Sequence, residues 1–203
     1  LLQKNIKKEY FDITVSNIPY SQNVDEGNFY KFPSKKGDSV FIQHLWESTK
    51  KGGKMCVIVP DTFLYDLKDV SKIRQEIINE SMELIIISLP RGVFNPYTPT
   101  KKSIIYARKR TDEEISKNKH FQQAYFYVID NDGFELDSKR KPIEGPSDCT
   151  KFLMSYNDNP DYRYIEQGKA TNVSYDMIKL NNYNLFPYMY MEDKPQNLYT
   201  KTL

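Results

Sequence analysis

Two near-continuous apolar runs each stop at a proline: Lys54 to Val59 ahead of Pro60, and Glu83 to Leu89 ahead of Pro90. Neither run alternates polar with apolar residues, so each reads as a strand covered on both faces. Between them, Asp69 or Ser71 can open a helix whose stripe is Ile73, Ile77 and Ile78. Upstream, Asp38 suits the cap of a helix over residues 39–50, with Val40, Phe41, His44, Leu45 and Trp46 on one side. Gly52-Gly53 reads as the stop of that helix. Phe11 to Ser16 and Ser103 to Ala107 add two further strands. Strands alternating with helices through short connections predict an α/β fold, with helices on both faces of a largely parallel sheet.

After Arg110 the pattern changes. Residues 111–119 form a polar connector, Ala124 to Asp130 a strand, and Asn131-Asp132-Gly133 a turn into Phe134-Glu135-Leu136, which is a β-hairpin signal. Residues 139–149 read as loop, and the tail from about residue 150 is irregular, rich in Tyr and Asn. The expected division is residues 1–110 for the alternating unit and 111–203 for a hairpin and tail extension of the same domain.

Composition narrows the function classes. A net charge of +2 over 203 residues implies no strongly charged partner. Basic residues cluster at Lys50-Lys51 with Lys54, Lys101-Lys102, Arg108-Lys109-Arg110 and Lys139-Arg140-Lys141, and would serve phosphate contacts only if several shared a face. Two cysteines make no disulfide framework; Cys56, inside Met55-Cys56-Val57, reads as a small buried hydrophobe. His44 and His120 stand too far apart for a metal-ligand spacing, so no metal is expected, and His44 reads as a packed helix residue. No signal peptide and no membrane-length apolar run occur, so the expected setting is cytoplasmic. The chain opens Leu1-Leu2 without Met, as a fragment would.

Ligands of such sheets bind beyond the carboxyl ends of the strands. Residues 17–20, Pro60-Asp61 and residues 90–97 all fall at such ends, so their loops should line one crevice. The first of these reads Asn17-Ile18-Pro19-Tyr20. Asn17 offers a side-chain carbonyl acceptor. Ile18 precedes proline and is pushed to extended geometry, which can turn its carbonyl outward. Two acceptors can meet both protons of an exocyclic amine and align its lone pair, while Tyr20 offers a ring to stack on a base. The competing reading is a plain turn, since Asn and Pro are turn formers. Asn95-Pro96-Tyr97 has similar composition but lacks the residue between Asn and Pro, and reads as loop.

Asn17-Ile18-Pro19-Tyr20 resembles the Asn-Pro-Pro-Tyr/Phe motif of amino-group methyltransferases that use S-adenosylmethionine. The surroundings resemble the modification subunits of type I restriction-modification systems, which methylate adenine in DNA. Phe41-Ile42-Gln43-His44, Gly52 to Pro60, Ile73 to Ile77, Ile87 to Phe94, Val128 to Leu136 with Lys139-Arg140, and Asn182 to Pro187 are each similar to a segment of that family, in order. The resemblance implies the carboxyl-side half of a Rossmann-like methyltransferase sheet. It implies Asn17, Ile18, Pro19 and Tyr20 as catalytic residues, and Tyr20 and Phe94 as stacking faces for an extruded adenine. It also implies S-adenosylmethionine as cofactor of the complete enzyme. The partners would be DNA, a specificity subunit, a restriction subunit and the missing amino-terminal part of the domain.

Two departures stand out. Ile18 replaces the family's first proline, which leaves the carbonyl in place. No G-x-G occurs among the eight glycines, so the family's glycine-rich cofactor loop has no counterpart here. The cofactor-binding residues of this chain are therefore unknown, and the first strand is expected to keep an open edge. Three alternatives stay open: a methyltransferase acting on RNA, one acting on a glutamine amide of a protein, and a non-catalytic interaction module of the same fold.

Overall fold

A computed structural model describes residues 7–19, 22–24, 30–158 and 168–191. Six strands form one sheet: β1 (Phe11–Asn17), β2 (Thr49–Pro60), β3 (Ser81–Ser88), β4 (Lys102–Lys109), β5 (Gln123–Val128) and β6 (Ala170–Ser174), in the spatial order β1-β2-β4-β3-β5-β6. β1 runs parallel to β2, and β3 parallel to β5. β4 lies antiparallel between β2 and β3, and β6 antiparallel to β5. The sheet is thus mixed. β3 reaches β4 through a loop of about a dozen residues with no crossover helix, and a connection that returns directly reverses the strand direction.

Helices cover both faces. On one face, Ile42 and Trp46 of α1 (Gly37–Ser48), Phe63 and Leu64 of α2 (Thr62–Tyr65), and Ile73, Ile77 and Ile78 of α3 (Asp69–Glu80) pack on Met55, Val57 and Val59 of β2 and on Leu84 and Ile86 of β3. Ile178 of α6 (Tyr175–Leu180) closes the same core. On the other face, Ile85, Ile87, Tyr125 and Tyr127 meet Cys149 and Phe152 of α5 (Asp148–Asp158). A short helix, α4 (Asp112–Ser116), sits inside the polar connector and is closed by a capping box of Thr111 and Glu114.

Several local expectations are corrected. Asp38 lies in the first turn of α1 and Lys36 is its cap, without a side-chain bond. The helix ends at Ser48 because Thr49 is already paired with β1: its hydroxyl meets that of Thr14 at 2.8 Å. Gly52-Gly53 therefore does not stop a helix; it sits inside β2 at a bulge between the Phe11–Thr49 and Ile13–Lys54 pairs. A Cβ on Gly53 would lie 2.9 Å from the Asp12 carbonyl oxygen, so only glycine lets β1 approach there. Phe134 does not pair with β5; it bridges Pro142, in a small hairpin closed by Glu135 N–H to Lys141 O and Ile143 N–H to Gly133 O. Cys56 is half-buried, not buried, on the face of β2 opposite the buried Met55 and Val57.

Arg74 ties the late part of the chain to this frame. It is fully buried on α3 and donates to the carbonyls of Phe63 at 2.6 Å, Asp66 at 2.9 Å and Tyr183 at 2.7 Å. Burial pushes its guanidinium down to about 10, so it stays charged at neutral pH. Leu185 N–H also bonds Leu64 O at 2.9 Å. Residues 183–189 are thereby brought to the carboxyl end of β2.

Candidate functional site

Asn17 is the last residue of β1 and is exposed. Its Cα partner across the parallel pair is Ile58, two residues short of Pro60. Ile18 drops into the core at 1 % exposure, beside residues such as Val57 and Val59. Burying Ile18 fixes the strand end, so Asn17 and Pro19 stand out on either side of a buried anchor. Tyr20 lies outside the described residues.

β2 delivers Pro60 and Asp61 to the same end of the sheet. Asp61 is nearly buried; Ser103 Oγ donates to its Oδ1 at 2.8 Å, and Lys101 Nζ stands 3.6 Å from its Oδ2. Lys101 Nζ also bonds Ser88 Oγ at 2.5 Å and lies 4.9 Å from the centre of the Tyr188 ring. Burial lowers the Lys101 pKa, Asp61 opposes that shift, and Arg91 adds to it.

The β3–β4 loop is the third contributor. Asn95 Nδ2 donates to Leu136 O at 3.0 Å, so the small hairpin braces this loop. Gly92 takes φ +86 here, where a Cβ would lie 2.7 Å from that same Leu136 oxygen. Phe94 is half-buried, packed with the Ile87 and Leu89 cluster, and the Lys102 ammonium stands 3.9 Å above its ring. Tyr97 is 91 % exposed at the loop tip. A cavity of about 800 Å³ opens between the Pro60-Asp61 turn, the β3–β4 loop and residues 184–189, lined by Pro60, Asp61, Tyr65, Arg91, Lys101 and Phe186 among others; contrary to the expected single crevice, none of residues 17–19 lines it.

The structure thus brings the Pro60-Asp61 and Arg91 segments together in one cavity and sets Asn17 one strand away at the same sheet end. Sequence reasoning missed most contributors to the cavity, among them Tyr65, Lys101, Asn184 and Phe186. The only local signal for the last two was the Asn182 to Pro187 stretch, which carries no periodicity. The basic clusters do not all share one face. Lys54 pairs in register with Arg108 at the amino end of β2, where Asp12, Asp112 and Glu114 take up Lys50, Lys51 and Arg108. Lys101-Lys102 stands at the opposite end.

The positive-φ glycines of the described residues, Gly52, Gly92, Gly133, Gly145 and Gly168, fall at a bulge, at turns or in loops. None opens a helix after a strand, the geometry that wraps a nucleotide. Among the described residues there is also no cluster able to hold a metal ion, and no helix long and apolar enough to cross a membrane.

The chain is 27 % identical over 183 residues to a type I restriction enzyme EcoEI methylase subunit of Escherichia coli, covering 87 % of this chain and 36 % of that protein. It is 26 % identical over 119 residues to the EcoKI methylase subunit of Escherichia coli K12, covering 58 % of this chain and 22 % of that subunit. The chain therefore spans about a third or less of these relatives. In structure it is similar to the type I restriction-modification methyltransferase subunit of Streptococcus thermophilus, with TM-score 0.68, 23 % identity, 91 % of this chain and 39 % of that one. It is also similar to the EcoKI M protein, with TM-score 0.66, 18 % identity, 86 % of this chain and 42 % of that one. The sheet is similar in fold to those of these two subunits. A model of the family N-6 DNA Methylase matches residues 1–197, and the chain belongs to that family.

Proposed function

We propose that this chain is the carboxyl-side part of the methyltransferase domain of a type I modification subunit, and that the complete domain methylates the N6 amine of adenine in DNA. The observation that carries this reading is the strand end at Asn17, held beside Ile58 and the Pro60-Asp61 turn by the buried Ile18. An adenine lifted from the duplex would enter there. Asn17 Oδ1 and the Ile18 carbonyl would accept from the two amine protons and align the nitrogen lone pair. Tyr20 and the part of Phe94 that Lys102 leaves open would hold the ring. No general base is required, because the attacking nitrogen can release its proton after the methyl has transferred. S-adenosylmethionine, held by the complete enzyme, would supply an electrophilic methyl group.

The open edge of β1 supports a division of the domain between this chain and a preceding segment. β1 is terminal in the sheet, and on its uncovered face Ile13 and Val15 are 65 % and 70 % exposed. A strand from the preceding segment would pair there and bring the cofactor loop. DNA, a specificity subunit and a restriction subunit are the partners this reading calls for. The test is to join the chain to the preceding segment of a modification subunit. The 203-residue chain should bind S-adenosylmethionine weakly in a calorimeter, and the joined protein tightly. With its specificity subunit the joined protein should label adenine N6 in DNA. Tight stoichiometric binding by the chain alone would sink the divided-domain reading, and label appearing only in RNA or in protein glutamine would sink the DNA reading.

A further inference from the structure

We propose that the cavity between β2, the β3–β4 loop and residues 184–189 is a nucleotide subsite, in which Arg91 and Lys101 hold a phosphodiester and the Tyr65–Phe186 ring pair takes the adjoining base. This rests on the methylation reading and adds a second, separate contact with the same strand. The volume of about 800 Å³ suits a ligand of that size.

The wall chemistry is what a phosphate needs. Lys101 is held in place by Asp61 on one side, by Ser88 Oγ on another and by the Tyr188 ring. An ammonium drawn out of water in this way gains from a further anion; beyond Asp61, it is repelled by Arg91 and favoured by Asp130. Arg91 lines the cavity, is exposed, and makes no hydrogen bond or ion pair among the described residues. A phosphate between the two cations would relieve their repulsion, and the planar guanidinium matches two phosphate oxygens. Asp61 offsets the charge of Lys101, so the uncompensated positive charge of this wall is that of Arg91.

The aromatic side fits the rest of a nucleotide. Tyr65 and Phe186 meet edge to face, with ring centres 5.6 Å apart and planes at 75°. Both residues line the cavity, and stacking on an aromatic ring accepts any base. Position fits too. The Asn17–Ile58 pairing sets Pro60 one strand across from Asn17 and two residues further along, roughly 5 Å and 7 Å. A base flipped at Asn17 and its neighbour on the same strand would reach both places.

The test titrates the full chain with a 5′-phosphorylated thymidine trinucleotide and, separately, with inorganic phosphate, followed by amide chemical shifts. Shifts should centre on residues 61–65, 91, 101 and 184–189. Arg91→Gln and Lys101→Gln should each weaken the trinucleotide about fivefold or more and lower the slope of log affinity against log salt by roughly 0.7. Tyr65→Ala should weaken it about 5- to 150-fold, and Tyr65→Phe should restore it. Circular dichroism checks the fold of each variant. Shifts centred elsewhere, or charge variants that bind as wild type, overturn the subsite. Phosphate binding that matches the trinucleotide, with Tyr65→Ala neutral, also overturns it and leaves a simple anion site. Asn17→Ala separates the two readings: it should leave trinucleotide affinity unchanged and lower methylation by the complete complex roughly 10²- to 10³-fold. If methylation survives Asn17→Ala while the trinucleotide still fills the cavity, the amine site fails and the subsite stands.

Discussion

Asn17 and Ile58 are register partners in a parallel pair, and this one relationship aligns the proposed amine acceptor with the Pro60-Asp61 turn. A slip of one residue would turn Ile18 outward and Asn17 into the core, because side chains alternate faces along a strand.

In the complete enzyme, Asn17→Ala deletes an acceptor for the target amine. Loss of one aligned, charge-stabilising contact typically costs roughly 10²–10³ in turnover. Tyr20→Ala should cost about 1–3 kcal/mol of base stacking, and Tyr20→Phe should keep most activity. DNA affinity at fixed salt should change little, since phosphate contacts dominate it. Methyl incorporation measured beside a binding assay decides the matter; wild-type incorporation by Asn17→Ala would favour the plain-turn reading.

The exposed face of β1 should make the chain self-associate when its amino-side partner is absent. Ile13 and Val15 stand 65 % and 70 % exposed on a terminal strand. Such an edge templates pairing with another chain. Val15→Lys should shift the isolated chain toward monomer in sedimentation velocity. The same change should impair assembly with the preceding segment. Wild-type chain that stays monomeric at high concentration would argue against the open edge.

Arg74 should be one of the most sensitive positions for stability. Arg74→Ala strands the carbonyls of Phe63, Asp66 and Tyr183. Each buried acceptor left without a partner costs about 1–3 kcal/mol, so a loss of at least about 3 kcal/mol is expected in urea unfolding. Arg74→Lys should not rescue, because a single ammonium cannot reach the same set of carbonyls as a planar fork. Hydrogen exchange should show Tyr183 and Leu185 opening first.

Asp148 should make the chain acid-sensitive. It is 1 % exposed; burial would raise its pKa, but the N–H groups of Asn131 and Asp130 and the Lys169 ammonium outweigh burial and hold it at about 2. A folded-state value below the ordinary 3.8 stabilises the fold above that pH. The contribution, on the order of 2 kcal/mol, should vanish as pH falls from about 4 toward 2. Asp148→Asn should lower stability at neutral pH and flatten that acid limb. A mutant with an unchanged acid limb would place the titration on another group.

The apolar runs before Pro60 and Pro90 determined two strands, and the Ile73-Ile77-Ile78 stripe determined α3, because period and proline are local properties of the chain. The same logic placed Asn17 at a strand end. Yet Gly52-Gly53 read as a helix stop and proved to be a strand bulge. The deciding contact, Asp12 O against Gly53, spans some forty residues and leaves no local trace. The small helix α2, the brace of Asn95 on Leu136, and the union of Tyr65 with Phe186 likewise depend on distant partners. Arg74 shows why: a lone arginine among Ile and Gln on an amphipathic helix reads as solvated, and only the carbonyls that tertiary packing turns toward it make burial affordable. Local periodicity therefore determined which segments are strands and helices, while long-range pairing decided the mixed strand order, the cavity and the side chains that line it.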